Sequence, residues 1–226
     1  MLNTSEFAQL LQPLLEIDSP VFPQPALRQV GVHILWGVVL ATAGWRMAYV
    51  LQPRWRFGLA VLVGLGSSFP GPMSPAYWLE LAFASPSWTS VLLCGLWLWR
   101  QTRAQAPFSS SWTPRPSNRI PIPWVICGLV VGWVLALDTF AVLPIQQSVY
   151  GWGFSSQASL VLTVGASAAW VISARGIHTL PFLALALFVL TRLPSGNVWD
   201  AVLDPLLWLY LHICLATQIW RYLRGR

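Results

Sequence analysis

Residues 66–86 read "GSSFPGPMSPAYWLELAFASP". The stretch is too broken by Gly, Ser and Pro to be one membrane-spanning helix, and too apolar to be an ordinary loop in water. Two Ser-Pro pairs punctuate it. In "SPAYWLELAFA" Ser74 can cap a helix and Pro75 can take its first position; in "SPSWTSVLLCG" Ser85 and Pro86 can do the same. Proline suits that position because its missing N–H would have no intrahelical acceptor anyway. The stretch therefore reads as a break, a short helix over about 75–84, and a fresh helix start. Ten residues make only ~15 Å of helix, too short to cross a bilayer. The short helix is expected to lie in the outer interface or to be re-entrant. Glu80 then sits in water beside Tyr77 and Trp78, or faces an outer cavity lined by "GLGSSFPGP".

The rest of the chain supplies the membrane. Of 226 residues, 56% are hydrophobic and 9% charged, against about 25% charged in an ordinary soluble domain. The fold class this implies is all-α, a polytopic integral membrane helix bundle. Seven apolar segments, over about 27–47, 57–71, 87–101, 122–143, 157–174, 177–192 and 205–222, are expected to be transmembrane helices. Several fall short of the ~20 residues of a full span, and flanking Trp and Arg are expected to extend them. Ahead of them, "SEFAQLLQPLLEI" places Phe7, Leu10, Leu11, Leu14 and Leu15 on one stripe of an amphipathic helix. A Pro-rich connector, "SPVFPQP", follows. Residues 1–27 hold no Lys or Arg and three acids, so they lack the basic start of a signal peptide. The chain is thus expected to be a single membrane domain over 1–226. It comprises a periplasmic helix and connector over 1–26, a transmembrane bundle over 27–222 and a cytoplasmic loop over 102–121.

Arginine placement orients the bundle. All 13 basic side chains are Arg. With seven spans, Arg46, Arg54, Arg56, Arg100, Arg103, Arg115, Arg119, Arg175, Arg221, Arg224 and Arg226 fall on one side, which the positive-inside rule makes the cytoplasm. Only Arg28 and Arg192 fall opposite. The seven acids, Glu6, Glu16, Asp18, Glu80, Asp138, Asp200 and Asp204, all fall on or toward that outer side. The N-terminus is expected outside and the C-terminus inside a bacterial-type inner membrane. Trp45, Trp55, Trp97, Trp99, Trp124 and Trp220 fall near the inner surface, and Trp78, Trp88, Trp152 and Trp199 near the outer one, as two aromatic belts. The net charge of +6 is accounted for by this sorting, so no nucleic-acid partner is implied. The implied partners are the lipid bilayer and other membrane subunits.

Motifs exclude more than they propose. With no Lys there is no Schiff-base chemistry and no P-loop. GxSxG, HExxH and CxxC patterns are absent, and Cys94, Cys127 and Cys214 lie inside apolar runs as packing residues. The candidates for a polar cavity are Glu80, Asp138, Arg192, Asp200 and Asp204. Asp138 lies roughly six residues inside the expected end of the fourth span, about 8–9 Å of rise, unless that span ends early. Asp204 precedes Pro205 and is expected to N-cap the seventh span. Continuing by fours reaches Trp208 and His212, so an acid, a Trp and a His share one helix face, as a proton path or as a capped helix with a packed histidine. Arg192 is expected to pair with Asp200 or Asp204. His33 and His212 are candidate ligand or proton-relay residues. No metal site is expected, and no cofactor is called for beyond the option of a haem or pigment held by His33 or His212. Two functions remain. One is a non-enzymatic accessory or scaffold subunit of a membrane complex. The other is a proton-linked transporter or membrane-embedded enzyme with a periplasm-facing acidic cavity.

Overall fold

The computed structural model describes residues 22–104, 120–143, 148–172 and 179–224, with only the backbone described at 104, 156 and 168–172. The expected amphipathic helix in "SEFAQLLQPLLEI", most of the loop over 102–121, and Glu6, Glu16, Asp18, Arg115, Arg119, Arg175, His178 and Arg226 lie outside the described residues. Within them the chain forms helices and no strand. In order these are α1 (Pro25–Met47), α2 (Pro53–Ser68), α3 (Pro75–Phe83), α4 (Trp88–Ala104), α5 (Ile122–Thr139), α6 (Val149–Trp152), α7 (Ser156–Ile172), α8 (Thr179–Thr191), α9 (Val198–Val202) and α10 (Pro205–Arg224).

Proline sets many of the starts. Pro25, Pro53, Pro75 and Pro205 each open a helix, and Pro123 sits in the first turn of α5. All seven expected apolar segments are helices. Their ends shift for local reasons. Helix α2 starts at Pro53 rather than 57, and stops at Ser68 because Phe69 is extended. Helix α5 stops at Thr139 rather than 143 because Ala141 takes a left-handed φ of 53°. Among the described residues, two of the seven, α1 and α5, are long and apolar enough to cross a membrane. The apolar run Gln157–Ser167 of α7, and α8, are shorter; the 13 residues of α8 make only about 20 Å.

Small residues bring α1 and α2 together. A Cβ on Gly37 would lie 2.3 Å from Ser68 Oγ and 2.8 Å from the Gly64 carbonyl, and one on Gly64 would lie 3.1 Å from Ala41 Cβ. This Gly37–Ala41–Gly44 stripe lets two backbones approach as small-residue motifs do in membranes. The same device seats α10 on α5, where Gly128 lies under Leu211 and Gly132 under Trp208. A third cluster gathers Ala158, Leu185, Phe188, Val198 and Ala201, with Trp88, Trp152 and Trp199 around it.

The opening stretch folds much as read, with one correction. Ser74 caps α3 by accepting from the Ala76 N–H at 3.2 Å, and its own hydroxyl donates to the Ser67 carbonyl at 2.8 Å. The second cap, however, is Ser87 and not Ser85. Ser87 Oγ accepts from the Ser90 N–H at 3.1 Å, and the Ser87 carbonyl receives the Val91 N–H. Helix α3 packs Ala76 against Val32 and Trp36 of α1, and Trp36 Nε1 donates to the Ala84 carbonyl at 3.1 Å. The short helix thus lies along the N-terminal half of α1. Helix α4 begins level with the middle of α1, since Val39 and Thr42 share a cleft with Ser90 and Cys94.

Gly37→Ala should force α1 and α2 apart and destabilise the protein by about 1–3 kcal/mol. Gly58→Ala, where nothing lies within 4 Å of the new Cβ, should be neutral or stabilising by up to ~1 kcal/mol through helix propensity. Thermal unfolding in mild detergent, followed by tryptophan fluorescence, checks the opposite signs. Equal shifts for the two variants would mean that α1 and α2 do not meet at Gly37.

Candidate functional site

One end of the helices carries a layer of loops and short helices, and most of the described acids sit there. Asp204 is its anchor, 5% exposed. One carboxylate oxygen accepts from the Leu207 N–H at 2.7 Å, which is the N-cap bond expected of an aspartate followed by proline. The other accepts from the Ser87 N–H and the Ser87 hydroxyl, each at 2.7 Å, and from the Ser90 hydroxyl. A single carboxylate therefore closes the N-termini of both α10 and α4. Both helix dipoles point their positive ends at it, and charge-assisted bonds of this kind are about twice as strong as neutral ones.

Tyr150 organises the other two aspartates. Asp138 lies in the last turn of α5, which ends at Thr139 and not at the expected 143. Its carboxylate accepts from the Tyr150 N–H and the Ser148 hydroxyl, both at 2.8 Å. The Tyr150 hydroxyl donates to Asp200 at 2.9 Å, and Ser195 Oγ donates to the same carboxylate. The Tyr150 carbonyl accepts from Asn197 Nδ2 at 2.9 Å. Asn197 is fully buried and caps α9 through the Trp199 N–H at 3.0 Å. Trp199 Nε1 donates to the Val149 carbonyl, and the Val198 N–H to the Gly153 carbonyl, each at 2.9 Å. Gly153 has no room for a side chain, because a Cβ there would lie 2.1 Å from Asn197 Oδ1. Burial pushes the Asp200 carboxyl above the usual carboxylate range, with the Asp204 charge adding to it, against the hydrogen bonds from Ser195 and Tyr150. Burial and the neighbouring Asp200 likewise raise the Tyr150 phenol.

The remaining candidates are placed elsewhere. Glu80 pairs with Arg28 at 3.7 Å, with the Arg28 side chain 55% exposed, so this pair contributes little. Arg192 forms no ion pair with Asp200 or Asp204, contrary to expectation. It takes a left-handed φ of 56° that ends α8, and its guanidinium lies 5.4 Å from the centre of the Phe188 ring. The helix end turns the side chain back onto α8 instead of forward to the acids. His33 is 2% exposed; its Nδ1 lies 2.8 Å from the Gln29 carbonyl and its Nε2 has no partner among the described residues. His212 Nδ1 lies 2.9 Å from the Trp208 carbonyl, and its ring packs edge-on against Trp208 and Trp133, at 4.9 and 6.2 Å between centres. Trp208 and His212 thus share a face as expected, while the Asp204 carboxylate one turn above turns to α4. No group of three metal-ligating side chains forms among the described residues.

Of the five cavity candidates, then, Asp138 and Asp200 meet through Tyr150, and Asp204 lies near enough for its charge to act on Asp200. Glu80 and Arg192 stand apart. Sequence reasoning missed Tyr150, Asn197 and Ser87. Gly151 and Gly153, both just after Tyr150 in "SVYGWG", are the one local sign of a tightly packed turn.

Asp204→Ala removes the acceptor from two buried backbone N–H groups, so a loss of about 3 kcal/mol or more is expected, with Asp204→Asn losing less. Detergent thermal melts check the order. Asp200 has a separate signature. Its contribution to stability is greatest below the ordinary carboxylate pKa, where both states hold the proton, and falls as pH rises through its raised folded value. Asp200→Asn should flatten that part of the melting temperature-versus-pH curve, and Tyr150→Phe should steepen it by removing a bond that favours the charged form. An unchanged curve in Asp200→Asn would contradict the burial of this carboxyl.

No family model matches the chain, and no curated protein or solved structure is similar enough to it to count as a match.

Proposed function

We propose that the chain is a multi-pass inner-membrane protein of about seven spans, N-terminus outside and C-terminus inside. On this reading it acts as a non-enzymatic accessory or scaffold subunit of a membrane complex. The observation that carries the reading is how the aspartates are used. Asp138, Asp200 and Asp204 give their oxygens to backbone N–H groups and hydroxyls that fasten α4, α5, α6, α9 and α10 to one another. Carboxylates so occupied serve as structural fasteners and leave few open positions for a substrate. Large apolar side chains exposed along α2, α5 and α10, among them Leu62, Leu65, Val130, Trp133, Leu209 and Ile213, suit contact with lipid or with neighbouring membrane subunits. The short helices fit the seven-span reading if the capped end lies toward the headgroups and flanking Trp and Arg complete the crossing, as Arg103 over Trp99 at 4.2 Å and Arg224 over Trp220 at 4.4 Å allow.

The second reading, a proton-linked transporter or membrane enzyme, is favoured by one feature. The half-buried Asp200–Tyr150 pair combines a raised carboxyl with a hydroxyl that could pass a proton.

Purification from the native membrane in mild detergent separates the two. A stoichiometric partner chain that persists in Asp138→Asn and Asp200→Asn variants is expected for the accessory subunit. A lone chain whose proton uptake in vesicles is abolished by Asp200→Asn would favour the transporter. Reporter fusions at residues 20 and 226 should report opposite sides of the membrane, and the same side for both would refute the seven-span topology.

A further inference from the structure

Helices α5 and α10 pack against each other through Gly128 and Gly132, which lie under Leu211 and Trp208. Their other sides face outward. On α5 the outer side carries Ile126, Val130 and Trp133, and on α10 it carries Leu209, His212, Ala216 and Ile219, each set at helical spacing. All are exposed except His212, which is half-buried. The Trp133 and His212 rings, 6.2 Å between centres, join the two stripes into one face. His212 is eight residues from the Asp204 cap and nine from Arg221, or ~12 and ~14 Å of helix rise. Two polar groups therefore stand in an apolar face far from either end of α10. His212 Nδ1 lies 2.9 Å from the Trp208 carbonyl. A carbonyl only accepts, so Nδ1 carries the proton and Nε2 of the neutral ring presents a lone pair. Trp133, 52% exposed, presents an indole N–H that only donates. The two rings meet edge-on at 77°, and neither Nε2 nor the Trp133 N–H has a hydrogen-bond partner among the described residues. The Trp208 N–H does not reach this face, because it is buried against Gly132.

We propose that this face is an interface between two copies of the chain, related by a two-fold axis along the membrane normal, in which the Trp133 N–H of each copy donates to His212 Nε2 of the other. An open donor and an open acceptor in hydrocarbon each cost free energy, which a neighbouring helix can remove and lipid tails cannot. A two-fold interface needs a self-complementary patch. One donor beside one acceptor is such a patch, and it supplies its own partner. Chains inserted in one orientation share only an axis along the membrane normal, and that axis preserves depth. Donor and acceptor must then lie at one level, as the contact between their rings provides. Ala216, exposed one turn beyond His212, leaves room for close approach of a second helix. The interface rests on the membrane reading proposed above.

The test is single-molecule photobleaching of the full chain, dye-labelled at its C-terminus and reconstituted in liposomes over a range of protein-to-lipid ratios. Two-step bleaching should rise with protein density. Trp133→Phe and His212→Leu each remove both bonds of a homodimer, so each should weaken association about tenfold. Mixed in two colours, these variants keep one bond, between the intact tryptophan of one and the intact histidine of the other. The mixed pair should therefore form about threefold more tightly than either homodimer, a recovery that general damage to the fold would not give. Leu62→Ala, on the exposed face of α2, should leave association unchanged. Monomers at every density, dimers indifferent to both substitutions, or a mixed pair no tighter than the homodimers would overturn the interface while leaving the membrane reading standing. Recovery of the chain in the aqueous fraction, before reconstitution, would overturn that reading and the interface with it.

Discussion

The carboxylate of Asp204 is shared by two helix beginnings. Helix N-termini leave backbone N–H groups without intrahelical acceptors, and in apolar surroundings each such group is costly. Here α4 and α10 start beside one another, and one buried anion answers donors from both. This fixes the relative depth of the two helices. Asp204 and Ser90 also line the cleft between α1, α4 and α10. Tilting or sliding either helix would break bonds to a buried charge, which is far more expensive than rearranging apolar contacts.

The neighbouring cap extends the same logic. Helices α4 and α7 have 17 residues and α8 has 13, so the chain must manage turns and polar backbone close to apolar helix ends. It does so by cross-linking loops to one another. Tyr150 contributes its N–H to Asp138, its hydroxyl to Asp200 and its carbonyl to Asn197. Trp199 and Asn197 then fasten that turn to the start of α9. Each of these aspartates is held by neutral N–H and O–H donors, which stabilise its charge without an arginine. That explains why Arg192, although close in sequence to Asp200 and Asp204, is left to stack on Phe188. It also ties the structure to the proposed function, because fastened carboxylates suit a rigid membrane subunit.

Charge and apolarity divide the molecule in a second way. Three of the four described acids, Asp138, Asp200 and Asp204, gather in the cap, while Arg46, Arg54, Arg100, Arg103, Arg221 and Arg224 stand at the other ends of their helices. Several of these arginines stack on tryptophans, an attraction of a cation to an aromatic face.

Local rules were legible from the sequence alone. The helical class, the seven apolar helices, the cap and first turn of α3, and the N-cap role of Asp204 all depend on neighbours within about four residues. Proline geometry, capping and periodicity act over that range. Long-range partners were not legible. Ser87 rather than Ser85 starts α4, and its bond to Asp204 crosses 117 positions. Tyr150 reaches Asp200 across 50. The end of α5 at Thr139 was only half legible, because the backbone turn at Ala141 that stops it carries no sequence signal. Arg192 was misread for a related reason, since closeness along the chain says nothing about direction once a left-handed residue turns it. The sequence determined which residues are helical and which helix ends need an acceptor. Only tertiary packing, set by where Gly37, Gly128, Gly132 and Gly153 let elements touch, decided which distant side chain supplies it.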